Sequence, residues 1–211
     1  MAMTPAEPTA DVDRRRQVLQ AARAAIAEHG LKNLRMTHIA ELAHMSPGHI
    51  LYYFKSKDRV LVETLCWSEL ELGEQYRAVL RAIEDAPQRL AHFIDLYLPA
   101  GPRDPGWALW IEIHGLALAN PEIVGDVLPL VNVWQDEVAE IVALGIRQGH
   151  FRTLDVDEFS DWFKVLLDGY SLRIVLGDPR CDRATAIGRV TAVAADELGI
   201  PAHRLRTATA P

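Results

Sequence analysis

The stretch THIAELAHMSPGHILYYFKSKDRVL, Thr37–Leu61, concentrates the clearest start and stop signals for helices in this chain. Thr37 can cap one short helix. Ser46 followed by Pro47 combines an N-cap with a first-turn proline, which predicts a second short helix ending after about two turns. Ser56 then predicts the start of a long helix. The stretch therefore indicates two short helices, joined by the turn AHMS, and a long helix after them.

Two short helices with a tight turn between them predict a helix-turn-helix, whose second helix enters the major groove of DNA with its N-terminal residues foremost. The apolar side chains expected to form the core with the preceding helix are Leu19, Ile26, Ile39, Leu42, Ala43, Ile50, Leu51 and Phe54. Tyr52 and Tyr53 can offer hydroxyls to phosphate oxygens, and Lys57 can hold a phosphate without reading sequence. The full set of candidate DNA contacts is Thr37, Ser46, Pro47, Gly48, His49, Tyr52, Tyr53 and Lys57.

Helical periodicity extends along the whole chain and predicts an all-α protein of about nine helices. A first helix is expected from Asp13 to His29, closed by Gly30 in a left-handed cap. The later helices are expected at 87–98, 105–119, 122–148, 156–177 and 183–198. The predicted domains are a disordered tail (1–11), a three-helix DNA-binding head (12–57), a helical bundle for ligand binding and dimerisation (58–200) and a C-terminal tail (201–211).

Charge is distributed unevenly over the 211 residues. The chain has a net charge of -7, but residues 1–60 carry +3 and the remainder -10, so a polyanion would be held by the head. The cluster Arg14–Arg16 can be either a phosphate contact or a solvated face. The two cysteines have no disulfide or zinc spacing, and no export signal or long apolar run is present. A cytoplasmic location without membrane contact is expected, with no metal, cofactor or catalytic residues.

The segment after Val156 is apolar almost all round, which predicts a helix buried both in its own bundle and against a second copy of the chain. Trp162, Val165, Leu166 and Leu172 occupy its other sides. The side chains predicted to form a homodimer interface are Phe159, Phe163, Leu167, Tyr170 and Ile174.

The tryptophans suggest a small-molecule site in the bundle, although core packing is the simpler explanation for any single one of them. Trp110 and His114 lie one helical turn apart and share a face. The predicted ligand contacts are Trp110, His114, Trp134 and Phe163. If Glu112 or Asp168 also borders this site, a cation could be held over the tryptophan faces.

The pattern T-x-I-A-x-x-A-x-x-S-x-G-x-x-L-Y-Y-F-x-S-K, from Thr37 to Lys57, resembles the DNA-binding domain of the TetR family of bacterial transcriptional regulators. The resemblance covers residues 12–65 and implies a three-helix head, a long fourth helix and a helical body of variable sequence. His44 stands where the family generally has the turn glycine, and histidine tolerates positive φ better than most residues.

The runs GWALWIEIHGLALANPEI and GIRQGHFRTLDVDEFSDWFKVLLDGYSLRIVLGD resemble the choline-sensing, betaine-pathway branch of the same family over about residues 104–178. Together these resemblances imply a homodimeric repressor that binds a near-palindromic operator in double-stranded DNA. An unidentified small-molecule effector would release it by shifting the fourth helix. The alternative is a helical enzyme or scaffold protein that has kept a DNA-binding head.

Overall fold

A computed structural model describes residues 8–206, apart from the side chains of residues 8–10 and of Lys32. Within that range the regular elements are nine α-helices and a short 3-10 helix. The α-helices are α1 Pro8–Asn33, α2 Met36–Leu42, α3 Pro47–Phe54, α4 Lys57–Arg81, α5 Ala86–Tyr97, α6 Pro105–Ala119, α7 Pro121–Arg147, α8 Val156–Val175 and α9 Arg183–Leu198, and the 3-10 helix is Ala202–Leu205. The predicted all-α fold is confirmed. Between residues 8 and 206, no helix has the length and apolar character needed to cross a bilayer.

The chain divides into two compact units. The first contains the described residues up to Glu71 together with Ile113–Val127, and the second contains Leu72–Glu112 together with the described residues from Leu128 onward. Each of the helices α4, α6 and α7 therefore contributes residues to both units.

α1 is longer than the sequence predicted. It begins at Pro8, because proline suits the first turn of a helix and Asp11 lies where a carboxylate favours the helix dipole. Gly30 does have a positive φ of 69°, but its ψ of 155° produces a kink and one more turn follows it. The regular helix is thus interrupted at Gly30, next to its predicted end at His29, and the turn that follows packs Leu31 against the core of the first unit.

The predicted terminal tails only partly overlap the described residues. Residues 1–7 and 207–211 lie outside them, whereas the remainder of the predicted N-terminal tail belongs to α1. In the predicted C-terminal tail, residues 202–205 form the 3-10 helix and Leu205 is buried. Both segments are ordered because the chain continues to satisfy backbone groups or to bury apolar side chains there.

The core of the first unit joins α1, α2, α3 and the start of α4. Its buried side chains include Leu19, Ile39, Ala43, Ile50 and Phe54, as the sequence predicted, with Ile26 partly buried beside them. Leu42 and Leu51 were also expected inside, but both are exposed. Short helices of seven and eight residues have one narrow buried face, and these two leucines fall outside it.

The core of the second unit is larger and joins α5, α7, α8 and α9. Its buried side chains include Phe93, Ile94, Tyr97, Val138, Ile141, Phe159, Phe163, Leu167, Ile174, Val190 and Leu198. α8 is thus a central helix of this unit, and its packing inside the unit accounts for much of its apolar sequence.

Candidate DNA-binding and effector sites

The turn before α3 adopts the tight geometry that a helix-turn-helix requires. His44 has φ 51°, so histidine takes the left-handed conformation expected of this position. The Met45 backbone N–H donates to the Ala40 carbonyl at 3.0 Å. Ser46 is the N-cap of α3, since its hydroxyl oxygen accepts from the His49 backbone N–H at 3.2 Å. The predicted cap and first-turn Pro47 are confirmed.

α2 starts two residues earlier than a cap at Thr37 predicts, and Thr37 is not its cap. Arg35 is the N-cap residue, and its backbone N–H donates to Nδ1 of His38 at 3.3 Å, as in a capping box. Thr37 instead lies exposed in the first turn of the helix. Its hydroxyl therefore remains a candidate for contacting a phosphate.

The outward face of α3 begins with small residues and ends with a large aromatic one. Pro47, Gly48 and His49 are exposed, and Tyr52 is 76% exposed. Leu51, which the sequence placed in the core, is 38% exposed on the same helix. Because side chains near the helix start are small, the backbone can approach base edges closely, while Leu51 offers an apolar surface suited to a thymine methyl group.

Tyr53 is half-buried and braces the aromatic side of α3. Its ring centroid lies 5.3 Å from His49 and 5.3 Å from Tyr52, the latter in an edge-on arrangement. Its hydroxyl donates to Asp11 at 3.3 Å, and burial followed by the Asp11 charge raises the pKa of Tyr53. Tyr53 therefore packs against its exposed neighbours His49 and Tyr52, while Asp11 accepts a hydrogen bond from its hydroxyl.

Lys57 begins α4, and its ammonium donates to the Leu34 carbonyl. Ser56 caps the same helix start, because its hydroxyl oxygen accepts from the Arg59 backbone N–H at 3.1 Å. The predicted start of α4 is confirmed. A lysine held beside a helix N-terminus is placed where an anion would be favoured.

The arginines of α1 serve mainly to join it to α4. The Arg15 guanidinium pairs with Glu63 and lies 4.5 Å from the Phe54 ring centroid. Arg16 and Arg23 pair with a shared carboxylate, Glu71, at 3.7 and 2.9 Å. Of the two alternatives for Arg14–Arg16, a solvated face agrees with the exposure of Arg16, whereas Arg15 is half-buried and packs α1 against α4.

A further ion pair in the first unit joins α4 to α7. Arg59 on α4 pairs with Asp126 on α7 and lies 3.6 Å from Glu63. The hydrogen bond that the Arg59 guanidinium donates to Asp126 raises the pKa of Arg59. Because Glu63 also pairs with Arg15, one chain of charges connects α1, α4 and α7.

An aromatic cluster surrounds Tyr97 in the second unit. The Tyr97 ring stacks on Phe93 at 5.6 Å and meets Trp107 and Trp134 edge-on at 5.5 and 5.8 Å. Trp107 also donates its indole N–H to the Tyr97 carbonyl at 3.1 Å. Tyr76 flanks Trp134 at 6.3 Å. Trp134 is one of the predicted ligand contacts, whereas Tyr97, the last residue of α5, lies in no local motif that would mark it.

A lysine–aspartate pair lies against this aromatic cluster. Lys164 donates to Asp168 at 2.6 Å, and the other oxygen of Asp168 accepts from the Tyr97 hydroxyl at 2.5 Å. The Lys164 ammonium is 5.1 Å from the Tyr97 ring centroid. Asp168, one of two acidic residues considered for a cation site, thus borders aromatic rings, whereas Glu112 is exposed.

The four predicted ligand contacts differ in burial and in the unit to which each belongs. Trp134 is half-buried in the aromatic cluster, and Trp110 is half-buried on the part of α6 that belongs to the second unit. Phe163 is completely buried, with ring contacts to Phe159 at 5.3 Å and Trp162 at 5.7 Å. His114 is exposed and belongs to the first unit. Full burial makes Phe163 a core residue rather than a ligand contact.

The predicted dimer interface needs correction for four of its five residues. Phe159, Phe163, Leu167 and Ile174 are at most 2% exposed because they pack inside the core of their own chain, so they present no surface to a second copy. Tyr170 is half-buried. The exposed apolar residues of α8 lie elsewhere on the helix: Val165 is 66% and Leu172 44% exposed.

Comparisons with protein families identify both parts of the chain. Residues 18–64 match the family model described as bacterial regulatory proteins, tetR family, and residues 86–199 match the BetI-type transcriptional repressor, C-terminal. The HTH-type transcriptional regulator BetI of Brucella canis is 23% identical over 178 residues, which cover 84% of this chain and 87% of that protein. BetI of Serratia proteamaculans is 36% identical over 72 residues, 34% of this chain and 36% of that protein.

Solved structures have the same fold. A transcriptional regulator from Saccharomonospora viridis, solved in complex with choline, is 27% identical with a TM-score of 0.71, over 86% of this chain and 95% of that one. A TetR-family transcriptional regulator from Rhodococcus sp. is 23% identical with a TM-score of 0.69, over 89% of this chain and 99% of that one. With both family models matching, the chain belongs to the TetR family of bacterial transcriptional regulators and has a C-terminal region of the BetI-type repressors.

Proposed function

We propose that this ligand-responsive transcriptional repressor acts as a homodimer on a near-palindromic operator in the cytoplasm, and that it has no catalytic role. The observation that carries the proposal is the exposed face of α3, which begins with Pro47, Gly48 and His49 after a capped, tight turn. This exposed helix start favours DNA binding over the alternative of an enzyme or scaffold protein.

α3 would lie in the major groove with its N-terminal turn against base edges. His49 can donate or accept a hydrogen bond there, and Leu51 can contact a thymine methyl group. Tyr52, Thr37 and Lys57 would hold phosphates on either side, which sets the register of the helix without reading sequence.

Dimerisation would use the exposed apolar side chains of α8 and α9, in place of the buried residues that the sequence suggested. Val165 and Leu172 are two helical turns apart and share a face of α8, and Val193 is exposed on α9, which packs beside it. Burying these side chains in a symmetric interface would remove them from water in both copies. Two α3 helices would then reach successive major grooves about 34–36 Å apart.

The effector would bind at the aromatic cluster of Tyr97, Trp107 and Trp134, a set of faces suited to a small organic molecule. α4 offers a route from there to the DNA, because its N-terminal half belongs to the first unit and the remainder to the second. The Arg59–Asp126 pair offers another, since it ties α4 to α7 beside the head core. A coupling free energy of about 1–3 kcal/mol would change operator affinity by about 5–150-fold.

Selection of bound sequences from random double-stranded DNA tests this proposal. We expect enrichment of a near-palindrome whose half-sites are about one helical turn apart, and loss of binding to it in the presence of an extract of small metabolites. Enrichment of no sequence, with uniform weak binding to all DNA, would instead support the alternative of an enzyme or scaffold protein with a vestigial head.

A further inference from the structure

Lys164 is an unusual residue to find in the interior of the second unit. Its side chain is only 4% exposed, although it lies on a helix whose neighbouring Val165 is solvated. Lysine is rarely buried to this extent unless its ammonium is paired, because removing an ammonium from water is costly. Asp168, one helical turn later, supplies the pairing carboxylate at 2.6 Å.

The surroundings of the Lys164 ammonium are those that proteins use to bind a free organic cation. Such a site needs an aromatic face within about 6 Å and benefits from a nearby carboxylate. Here the Tyr97 ring centroid is 5.1 Å away. Both oxygens of Asp168 are engaged, one by Lys164 and the other by the Tyr97 hydroxyl. The chain therefore supplies its own cation to this cluster.

We propose that Lys164 is a specificity-determining residue that acts as a tethered cation, so that the effector of this repressor carries no positive charge. The inference rests on the proposed function, in which the effector binds at the aromatic cluster. An incoming ammonium would have to displace Lys164 from Asp168 or lie beside a second positive charge, and both are unfavourable. A ligand without positive charge would meet the faces of Trp107 and Trp134 and a charge pair that is already neutralised.

In this respect the chain would differ from one relative of known structure. The Saccharomonospora viridis regulator was solved with choline, a quaternary ammonium compound. If Lys164 excludes such compounds here, removing it should make room for them and leave Asp168 as their counter-ion.

Calorimetry and thermal-shift measurements on the full chain can test this with choline and with its uncharged isostere 3,3-dimethyl-1-butanol. The wild type is expected to bind neither choline nor tetramethylammonium. K164A is expected to bind choline at least about tenfold more tightly than the isostere, because a desolvated ring and an unpaired carboxylate both favour charge. K164A/D168N is the matched control and should lose this preference, since the amide carries no charge.

Binding of choline by the wild type overturns the proposal, whatever the variants do. So does a folded K164A that shows no preference for choline over the isostere. If K164A does not fold alone, it should be recovered by purification with choline but not with the isostere, and equal or absent recovery overturns the proposal. Operator binding by the wild type is measured alongside: its absence refutes the proposed function, whereas operator release by choline refutes only the tethered cation.

Discussion

α3 and α8 are both rich in aromatic and aliphatic residues, yet they use them in opposite ways. α3 buries Ile50 and Phe54 and leaves Leu51 and Tyr52 exposed. α8 buries a complete face: Phe159, Ser160, Phe163, Lys164, Leu167, Ser171, Ile174 and Val175. A short helix at the edge of a small core can present an apolar surface to a partner, whereas a long helix in the middle of a larger core needs most of that surface for its own chain.

The largest expected effect is the loss of stability when a core residue of α8 is truncated. Phe163→Ala should lower the free energy of unfolding by about 3–5 kcal/mol, because it removes a fully buried ring and leaves a cavity. Tyr52→Ala on α3 is the control and should change it by no more than about 0.5 kcal/mol. Chemical denaturation followed by circular dichroism measures both, and similar losses would contradict the assignment of the two faces.

The exposed side of α8 is the next point to test. Leu172→Asp should weaken dimerisation at least about tenfold, or about 1.4 kcal/mol, by placing a charge in the proposed interface. Sedimentation velocity over a range of concentrations measures this. Leu118→Asp is the matched control, since Leu118 is exposed on α6 and lies outside that interface. A dimer that survives Leu172→Asp unchanged places the interface on another surface.

On α3, the next test concerns the recognition of DNA bases by His49. His49→Ala should cost about 1–3 kcal/mol at one base pair of each half-site while leaving binding to random DNA unchanged. Competition binding with a panel of single-base operator variants shows whether the preference at that position is relaxed. Equal losses on specific and random DNA would mean that His49 contacts the backbone instead.

The smallest expected effect concerns a single phosphate contact. Lys57→Ala should weaken binding to all sequences alike and reduce the slope of log affinity against log salt by about 0.9 per chain, the value for one phosphate contact. Arg16→Ala removes the same charge from a residue already paired with Glu71, so the slope should stay unchanged. If both variants change the slope equally, general electrostatics rather than a contact at Lys57 accounts for it.

The local signals in the sequence predicted the helix starts well. Ser46 with Pro47, and Ser56, cap α3 and α4 as expected, and the spans 105–119 and 183–198 coincide with α6 and α9. These features depend on side chains that bond to backbone groups a few residues away, so the information needed is local. The start of α2 was misplaced because Thr37 is a good capping residue, but Arg35 and His38 provide the cap together.

The direction in which a side chain faces was predictable only in part. The all-round apolar pattern of α8 indicated two buried sides, but it did not tell the side covered by the same chain from the side left to a partner. Helical spacing places Leu42 and Leu51 beside core residues, but each short helix has only a narrow contact face, so both leucines are exposed.

Pairings between residues far apart in the chain could not be predicted from the sequence. Arg59 and Asp126 are 67 positions apart, and Tyr97 is 71 positions from Asp168. Lys164 and Asp168 have helical i, i+4 spacing, which occurs on many solvated helix faces. This pair differs from those because the lysine is buried against an aromatic ring. That burial depends on the packing of α5 and α8, which the spacing alone does not show.

Hydroxyl-radical footprinting of the selected operator tests most directly the central claim, which is that two α3 helices of one dimer enter successive major grooves. Two protected segments are expected on one face of the duplex, centred about one helical turn apart, and Leu172→Asp should abolish both together. Protection of one segment alone, or two segments on opposite faces of the duplex, would contradict that claim.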